Sequence, residues 1–330
     1  MPALVNQMGL AMLSNYHDRV GEDYAQLGEA GNEPADNNGL TPNSGWGRVF
    51  GTSGSAGYGG GDATDHFNHF MSNGPSYDFN LYGFQTGLDL YRTDHDGDRD
   101  IAGVSFGADR VNSDIRSIYD GTKAGDVSMD GYTLGGYWTR TGPTGWYVDS
   151  VLQLSRYDSI HASSVEGQQL GTAGWGFDAS VEGGYPFTLN DQWKLEPQGQ
   201  VIYQRISLND GHDDYGQISY NGSNALYGRL GVRLLDSWKL DNGYPITAWA
   251  RVNVWGVMGP TPQTTFAGLD GLDAIAFKTT LGSAWWQAQL GVSGRVSTRV
   301  SLFGSLDYDR PLTSANGHTI GGRIGVRFVW

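Results

Sequence analysis

Residues 319–330 read TIGGRIGVRFVW. Every second residue from Ile320 to Trp330 is apolar or glycine, whereas Arg323 and Arg327 occupy alternate positions. Because successive side chains of a β-strand point to opposite faces, this stretch predicts a ribbon with one apolar and one cationic face. Two arginines would be costly to desolvate in a dry core, so we expect water on the arginine face.

The same alternation recurs along the chain, and lipid is the cheapest environment for the apolar face. It predicts an all-β membrane protein, a 12-stranded antiparallel transmembrane β-barrel with an N-terminal α-helix in its lumen. A soluble β-sandwich is the weaker alternative, since its strands tend to be shorter. The predicted strands are residues 45–52, 77–91, 99–111, 128–140, 145–157, 173–184, 193–206, 223–235, 245–256, 281–293, 297–309 and 319–330.

The links between these strands alternate in length, as in barrels that keep short periplasmic turns and longer extracellular loops. Both ends of the barrel are then periplasmic. The long links are 53–76, 112–127, 158–172, 207–222 and 257–280. The shorter links are 92–98, 141–144, 185–192, 236–244, 294–296 and 310–318.

Apolar residues at helical spacing predict one helix over residues 4–20. It is too polar near its end to face lipid, and the bore of a twelve-stranded barrel has room for about one helix of ~10 Å diameter. We therefore divide the chain into a lumenal helix and linker at 1–27, a connector at 28–44 and a barrel at 45–330.

The composition excludes several classes of protein. The chain of 330 residues carries a net charge of -14, which argues against a nucleic-acid partner. It has 0 cysteines, which excludes disulfides and thiolate metal sites. Mean hydropathy is -0.40, and no run of residues approaches the ~18 apolar residues of a membrane helix. No secretion signal is visible at the start, and no cofactor is expected.

Three segments resemble the C-terminal translocator domain of monomeric autotransporters, the type Va secretion system of Gram-negative bacteria. They are the helix from Asn6 to Arg19, the opening strand GWGRVFG at 45–51 and the closing strand GRIGVRFVW at 322–330. The resemblance implies an outer-membrane barrel through which an N-terminal passenger is secreted, with the helix left as a plug. It also implies that the barrel-assembly machinery reads Val326, Phe328 and Trp330. The implied partners are the chain's own passenger domain, outer-membrane lipids and periplasmic chaperones, around a monomeric barrel.

The lumenal charges predicted from strand parity fall into two sets. The acidic set, on the second to seventh strands, is Asp89, Asp109, Asp149, Asp178, Glu182 and Glu196. The basic set, on the eighth to twelfth strands and the first, is Arg229, Arg233, Arg251, Arg323, Arg327 and Arg48. We hypothesise a transverse field that orients the helix through His17, Asp18 and Arg19. The alternative is ordinary lumenal polarity screened by water.

Some members of the resembled family cut their passenger by asparagine cyclisation inside the barrel. Asn6 lies at the start of the predicted helix, but no Asn-Asn pair precedes the helix. A capping or solvated asparagine is the simpler interpretation. We therefore expect no enzyme activity beyond an optional single self-cleavage.

Two clusters have the composition of cation sites. Asp62, Asp65, His66 and His69 share the first long link and suit either a metal or a hydrolytic water. Asp94, Asp96, Asp98 and Asp100 alternate in a short turn like part of a calcium loop, without its closing glutamate. A solvated loop and an acidic turn are the simpler interpretations. A non-secretory barrel, either a narrow porin or an outer-membrane hydrolase, remains the alternative function.

Overall fold

The structure is a computed structural model of the 330-residue chain. It describes residues 1–21, 40–57, 76–117, 122–190, 192–221, 223–260, 262–278, 283–313 and 316–330. The described residues form two helices and seventeen strands, numbered α1, α2 and β1–β17 in chain order.

Twelve long strands form a single antiparallel sheet that closes on itself. β17 pairs with β1, where Phe328 lies opposite Gly45, and β8 pairs with β11. The predicted 12-stranded barrel is therefore confirmed. Its strands are β1 Leu40–Gly57, β2 Tyr77–His95, β3 Asp98–Arg116, β4 Lys123–Thr141, β5 Tyr147–Ser164, β6 Gln169–Gly184, β8 Trp193–Leu208, β11 Ser223–Lys239, β12 Pro245–Met258, β15 Ala284–Arg295, β16 Val300–Pro311 and β17 Asn316–Val329.

The barrel surface alternates as the sequence predicts. Outward side chains include Leu230, Leu306 and Ile324, which are 74%, 67% and 68% exposed. Their neighbours Arg229 and Arg323 point inward, and Arg229 is 2% exposed. Apolar exposure on this scale would be unfavourable in water and is favourable against lipid chains.

β2 to β5 extend beyond the predicted strands, so the predicted loops at 112–127 and 158–172 are mostly strand. Only residues 165–168 separate β5 from β6. The outward residues here are polar. Arg116 donates to Asp78 at 2.7 Å, and a hydrogen bond from Lys123 lowers the pKa of Asp114. Backbone pairing between strands does not depend on lipid and therefore continues into water. The strands predicted from their apolar residues were too short for this reason.

The long links after β8 and β12 contain a second sheet that the sequence pattern did not predict. Its four short strands are paired in the order β14–β13–β10–β9. They are β9 Gly211–His212, β10 Gly216–Asn221, β13 Gln263–Gly268 and β14 Ile275–Lys278. The hydroxyl of Tyr220 lies 3.6 Å from the sulfur of Met1, so this sheet reaches the start of the helical segment. One further strand, β7 Phe187–Thr188, pairs with β8 in a turn at the opposite end.

The helix predicted over residues 4–20 is two helices, α1 Pro2–Met12 and α2 Tyr16–Val20. The prediction of one continuous helix was therefore wrong. Leu13 and Asn15 both have extended backbones. Leu13 packs with Ile202 and Tyr227 of the wall, while the Asn15 amide donates to Glu182 at 2.8 Å. These wall contacts favour the break over continued helical periodicity.

Among the described residues, neither helix is long and apolar enough to cross a membrane. β1 begins at Leu40, five residues before the boundary expected between connector and barrel. Of the expected connector at 28–44, residues 28–39 lie outside the described part of the chain.

Candidate functional site

The first half of α1 lies in an apolar part of the lumen. Leu4, Val5 and Met8 are no more than 1% exposed. They pack against inward side chains near the end of the barrel that carries the longer links. These wall residues are Tyr77, Phe79, Leu81, Val111, Val127, Met129, Tyr157, Ile160, Ile206 and Leu208. α1 is therefore held there by hydrophobic burial.

The second half of α1 is held through its backbone. The last carbonyl groups of a helix lack regular i+4 partners, and here the wall supplies donors in addition to the backbone amide of Leu13. Gln153 donates to the carbonyl of Gly9 at 2.7 Å, Arg48 to that of Ala11 at 3.0 Å and Gln85 to that of Met12 at 3.0 Å. The positive charge of Arg48 also complements the negative end of the helix dipole.

Gly9 allows α1 to lie close to the wall. A Cβ at this position would lie 2.5 Å from the amide nitrogen of Gln204 and 3.2 Å from Asp178. Gln204 donates in turn to the carbonyl of Asn6 at 3.1 Å. A larger residue at position 9 would therefore displace the Gln204 side chain, which binds the Asn6 carbonyl, or push the helix away from β6 and β8.

α2 makes charged contacts with both sides of the lumen. Arg323 donates to Asp18 at 2.5 Å, and Arg48 lies 3.7 Å from the same carboxylate. Arg19 pairs with Asp149, and its guanidinium lies 4.3 Å from the centre of the Tyr137 ring.

His17 and Asn15 contact the acidic side of the wall. A ring nitrogen of His17 is 3.2 Å from Glu196. Asn15 binds Glu182, which also accepts from the Tyr147 hydroxyl at 2.6 Å. Asp18 thus faces arginines, whereas His17 and Arg19 face carboxylates.

The structure places all twelve predicted charged side chains on the lumenal face. The predicted acidic set lies on β2, β3, β5, β6 and β8, and the predicted basic set lies on β11, β12, β17 and β1. Opposite charges pair where the two sets meet. Arg327 is 3.4 Å from Asp89, and Arg229 is 2.7 Å from Glu182. The two sets are therefore partly neutralised at their boundaries instead of facing each other only across the bore.

Several lumenal residues escaped the sequence interpretation. The contacts of Gln85, Gln153 and Gln204 with α1 are the clearest, since a search for charge does not select neutral amides. Asp307 was also missed, and it lies 3.4 Å from Arg323 on the basic side. Strand parity alone predicts the inward orientation of all four residues.

Beside the helices, on the side of the arginines, lies a cavity of about 410 Å³. Arg48, Arg251, Arg323, Trp255 and Trp285 are among its lining residues. Arg251 donates to Gln289 at 2.6 Å and to Gln198 at 3.0 Å. The helices therefore fill most of the lumen on the acidic side and leave a gap on the basic side.

In the turn between β2 and β3, arginines are the recorded partners of three of the predicted aspartates. Asp94 accepts from Arg99 at 2.5 Å, and Arg140 lies 2.6 Å from Asp98 and 3.6 Å from Asp100. No group of three or more metal-binding side chains occurs within the described residues. The predicted cluster of Asp62, Asp65, His66 and His69 lies outside them.

The comparisons with known proteins agree with this architecture. Residues 45–307 match the autotransporter beta-domain family. The chain is 28% identical to the adhesin BmaC autotransporter of Brucella suis over 77% of its length and 8% of the relative. It is 32% identical to the BrkA autotransporter of Bordetella pertussis over 54% of its length and 17% of the relative. The chain thus spans a small fraction of these relatives.

Solved structures of other autotransporter domains share the fold. The transport unit of the autotransporter AIDA-I from Escherichia coli matches with a TM-score of 0.72 and 15% identity, covering 93% of this chain and 96% of that one. The beta domain of the Bordetella autotransporter BrkA matches with a TM-score of 0.64 and 22% identity, covering 88% of this chain and 100% of that one.

The closed twelve-stranded barrel with helices in its lumen is the architecture of an integral outer-membrane protein of the translocator class. The chain belongs to the autotransporter beta-domain family. The alternative of a porin or hydrolase is not favoured.

Proposed function

We propose that the passenger crosses the outer membrane through this lumen and that α1 and α2 then remain as its plug. The observation that carries the proposal is the match of charges along α2. Asp18 meets Arg323 and Arg48, while Arg19 meets Asp149. A segment that had no defined position in the bore would not be expected to have each of its charges beside an opposite charge of the wall.

The plug is oriented by charge and retained by burial. Buried ion pairs contribute little net stability, but a buried charge that loses its partner costs about 3–5 kcal/mol. Rotating α2 would bring Asp18 toward carboxylates and Arg19 toward arginines. The apolar packing of Leu4, Val5 and Met8 then adds affinity that does not depend on this orientation.

The width of the bore limits the form in which a passenger crosses. One helix and its side chains, ~10–12 Å across, fill most of the lumen. We infer that the passenger crosses as an extended chain or a single helix and folds outside. Below the apolar end of the lumen, the wall offers hydrogen-bonding groups to such a chain, among them Gln85, Gln153 and Gln204.

We propose that the assembly machinery and periplasmic chaperones recognise the closing strand. The product of assembly would be a monomeric barrel. Phe328 and Trp330 are 47% and 54% exposed on the lipid face, at the seam where β17 meets β1. Aspartate at both positions should reduce the amount of assembled barrel in cells by more than tenfold, because it removes the two aromatic side chains that we propose are read. The cost of a lipid-facing carboxylate near the interface, about 1 kcal/mol or less, would account for only a minor part of that loss.

Heat-modifiable migration of the outer-membrane fraction on gels measures the assembled barrel. The paired substitution L269D and L272D is the matched control, because these residues are 62% and 63% exposed near the second sheet and outside the barrel strands. Equal loss in both variants would show that the closing strand has no special part in assembly.

We further propose that the chain stays uncleaved at Asn6. This residue lies inside α1, is 6% exposed, and its carbonyl accepts a hydrogen bond from Gln204. Helical backbone held by the wall does not bring the side-chain amide freely onto its own carbonyl. Mass spectrometry of the assembled protein with its passenger should show no break after Asn6, in wild type and in N6D alike. A fragment beginning at residue 7 in wild type would contradict the proposal.

A further inference from the structure

Four strands of the barrel carry an arginine directly above their last outward apolar residue. Ala108 is followed at the next outward position by Arg110, Leu154 by Arg156, Tyr203 by Arg205 and Tyr308 by Arg310. All four arginines lie toward the end of the barrel with the longer links. They stand where the apolar band ends and lipid headgroups begin.

The strand registers show that these arginines are at one height. Residues paired across neighbouring strands form a line perpendicular to the strands. The line that starts at Arg110 of β3 passes through Asp130 of β4 and reaches Asp158 of β5. Arg156 therefore lies two residues below this line, toward the end with the short turns, after two strands. From Arg156 the line runs through Trp175 to Ser207, and Arg205 is again two residues lower after two strands.

The opposite direction gives the same step. From Arg110 the line runs through Tyr82, Gly51 and Gly322 to Leu306, and Arg310 is four residues higher after four strands. With strands ~4.8 Å apart and a rise of ~3.3 Å per residue, one residue per strand compensates a tilt of about 35°. Barrel strands tilt by about that angle, so the row is level with the membrane plane.

The row is accessible to lipid headgroups. The side chains of Arg110 and Arg156 are 47% and 35% exposed. Arg110 forms an ion pair with Asp130 at 3.3 Å, and Arg156 forms one with Asp158 at 3.7 Å.

Arg205 and Arg310 are also exposed and have no carboxylate within 4.0 Å among the described residues. Arginine binds phosphate through two parallel hydrogen bonds, and a cation at the membrane surface attracts anionic lipid. Tyr203 and Tyr308 sit just below these two cations, as aromatic residues do at headgroup level.

We propose that Arg110, Arg156, Arg205 and Arg310 form a binding surface for the phosphate groups of anionic lipids in the outer leaflet. Arg205 and Arg310 are its principal contacts. The surface spans the barrel from β16 through β1 to β8 and leaves β11, β12 and β15 outside the row. The protein has a net charge of -14, so this level row of cations is a local departure from its overall electrostatics.

The test compares phosphatidic acid, which carries a phosphate headgroup, with phosphatidylcholine. The whole chain is released from membranes that contain increasing fractions of phosphatidic acid and is analysed by native mass spectrometry. The measurement gives an apparent dissociation constant for the first lipid molecule bound. We expect wild type to prefer phosphatidic acid, and R205Q with R310Q to weaken its binding at least about fivefold, since each removed arginine near a charged surface accounts for about that factor.

The matched control is R116Q with K123Q, which also removes two exposed cations but from strand ends beyond the row. Its dissociation constant should stay within twofold of wild type. The proposal is overturned if R205Q with R310Q binds like wild type, or if the control loses as much. It is also overturned if excess inorganic phosphate abolishes the preference, since a free anion would then be the ligand. Heat-modifiable migration verifies that each variant is folded.

Discussion

Deletion of residues 1–21 is expected to raise the single-channel conductance of the barrel more than about tenfold, because it removes a plug of roughly helical diameter, ~10–12 Å, from the bore. In the described part of the intact chain, the helices leave a gap of about 410 Å³ beside them. Planar-bilayer recording of both chains, refolded in the same detergent, measures the difference. Twelve strands leave enough room for such a channel, whereas eight would be filled by side chains.

A synthetic peptide of residues 1–21 provides the control. Added to the deleted barrel, it should lower the conductance again, whereas a peptide with Asp18 and Arg19 exchanged should do so less effectively. Similar conductance with and without the helices would mean that inward side chains close the bore by themselves. In that case the helical segment would not be a plug.

The sequence predicts the barrel well because its strongest regularity is also its strongest physical constraint. Lipid on one face and water on the other impose the alternation seen in Phe177 and Asp178, and this alternation reveals side-chain orientation without any long-range information. Parity also placed the twelve predicted charges inside, and the same rule would have placed Gln85 and Asp307 there. Their partners could not be found in this way, because they depend on which strands become neighbours and how far each is shifted.

The errors share a cause. The strand ends within residues 112–127 were missed because the paired strands extend beyond the lipid bilayer, where their outward residues are polar. The break at Leu13–Asn15 was missed because helical spacing of apolar residues continues from Met12 to Tyr16. In both places the local pattern is intact, and a contact with another part of the chain decides the outcome. The hydrogen bond from Asn15 to Glu182 joins residues 167 positions apart, and no local rule contains it.

Exchange of the two neighbouring charges, D18R with R19D, is expected to have the second large effect. The variant conserves composition and net charge, so it isolates the position of each charge. The carboxylate introduced at position 19 would face Asp149, and the guanidinium introduced at position 18 would face Arg323 and Arg48. With about 3–5 kcal/mol for each buried charge deprived of its partner, the plugged state should lose most of its advantage. Planar-bilayer traces should show frequent opening to the level of the barrel without residues 1–21.

A second exchange separates orientation by charge from simple packing. Adding D149R and R323D to the first pair restores an opposite charge to each α2 position, while every side chain remains altered in shape. If the wall orients the plug by its charge, the four-fold variant should open less often than D18R with R19D. If only packing matters, it should open at least as often, because it carries two more substitutions in a buried region. The conservative variant R19K, which keeps the sign beside Asp149, should stay close to wild type. Openings in R19K as frequent as in the exchanged pair would indicate that shape, and not charge, holds α2 in the lumen.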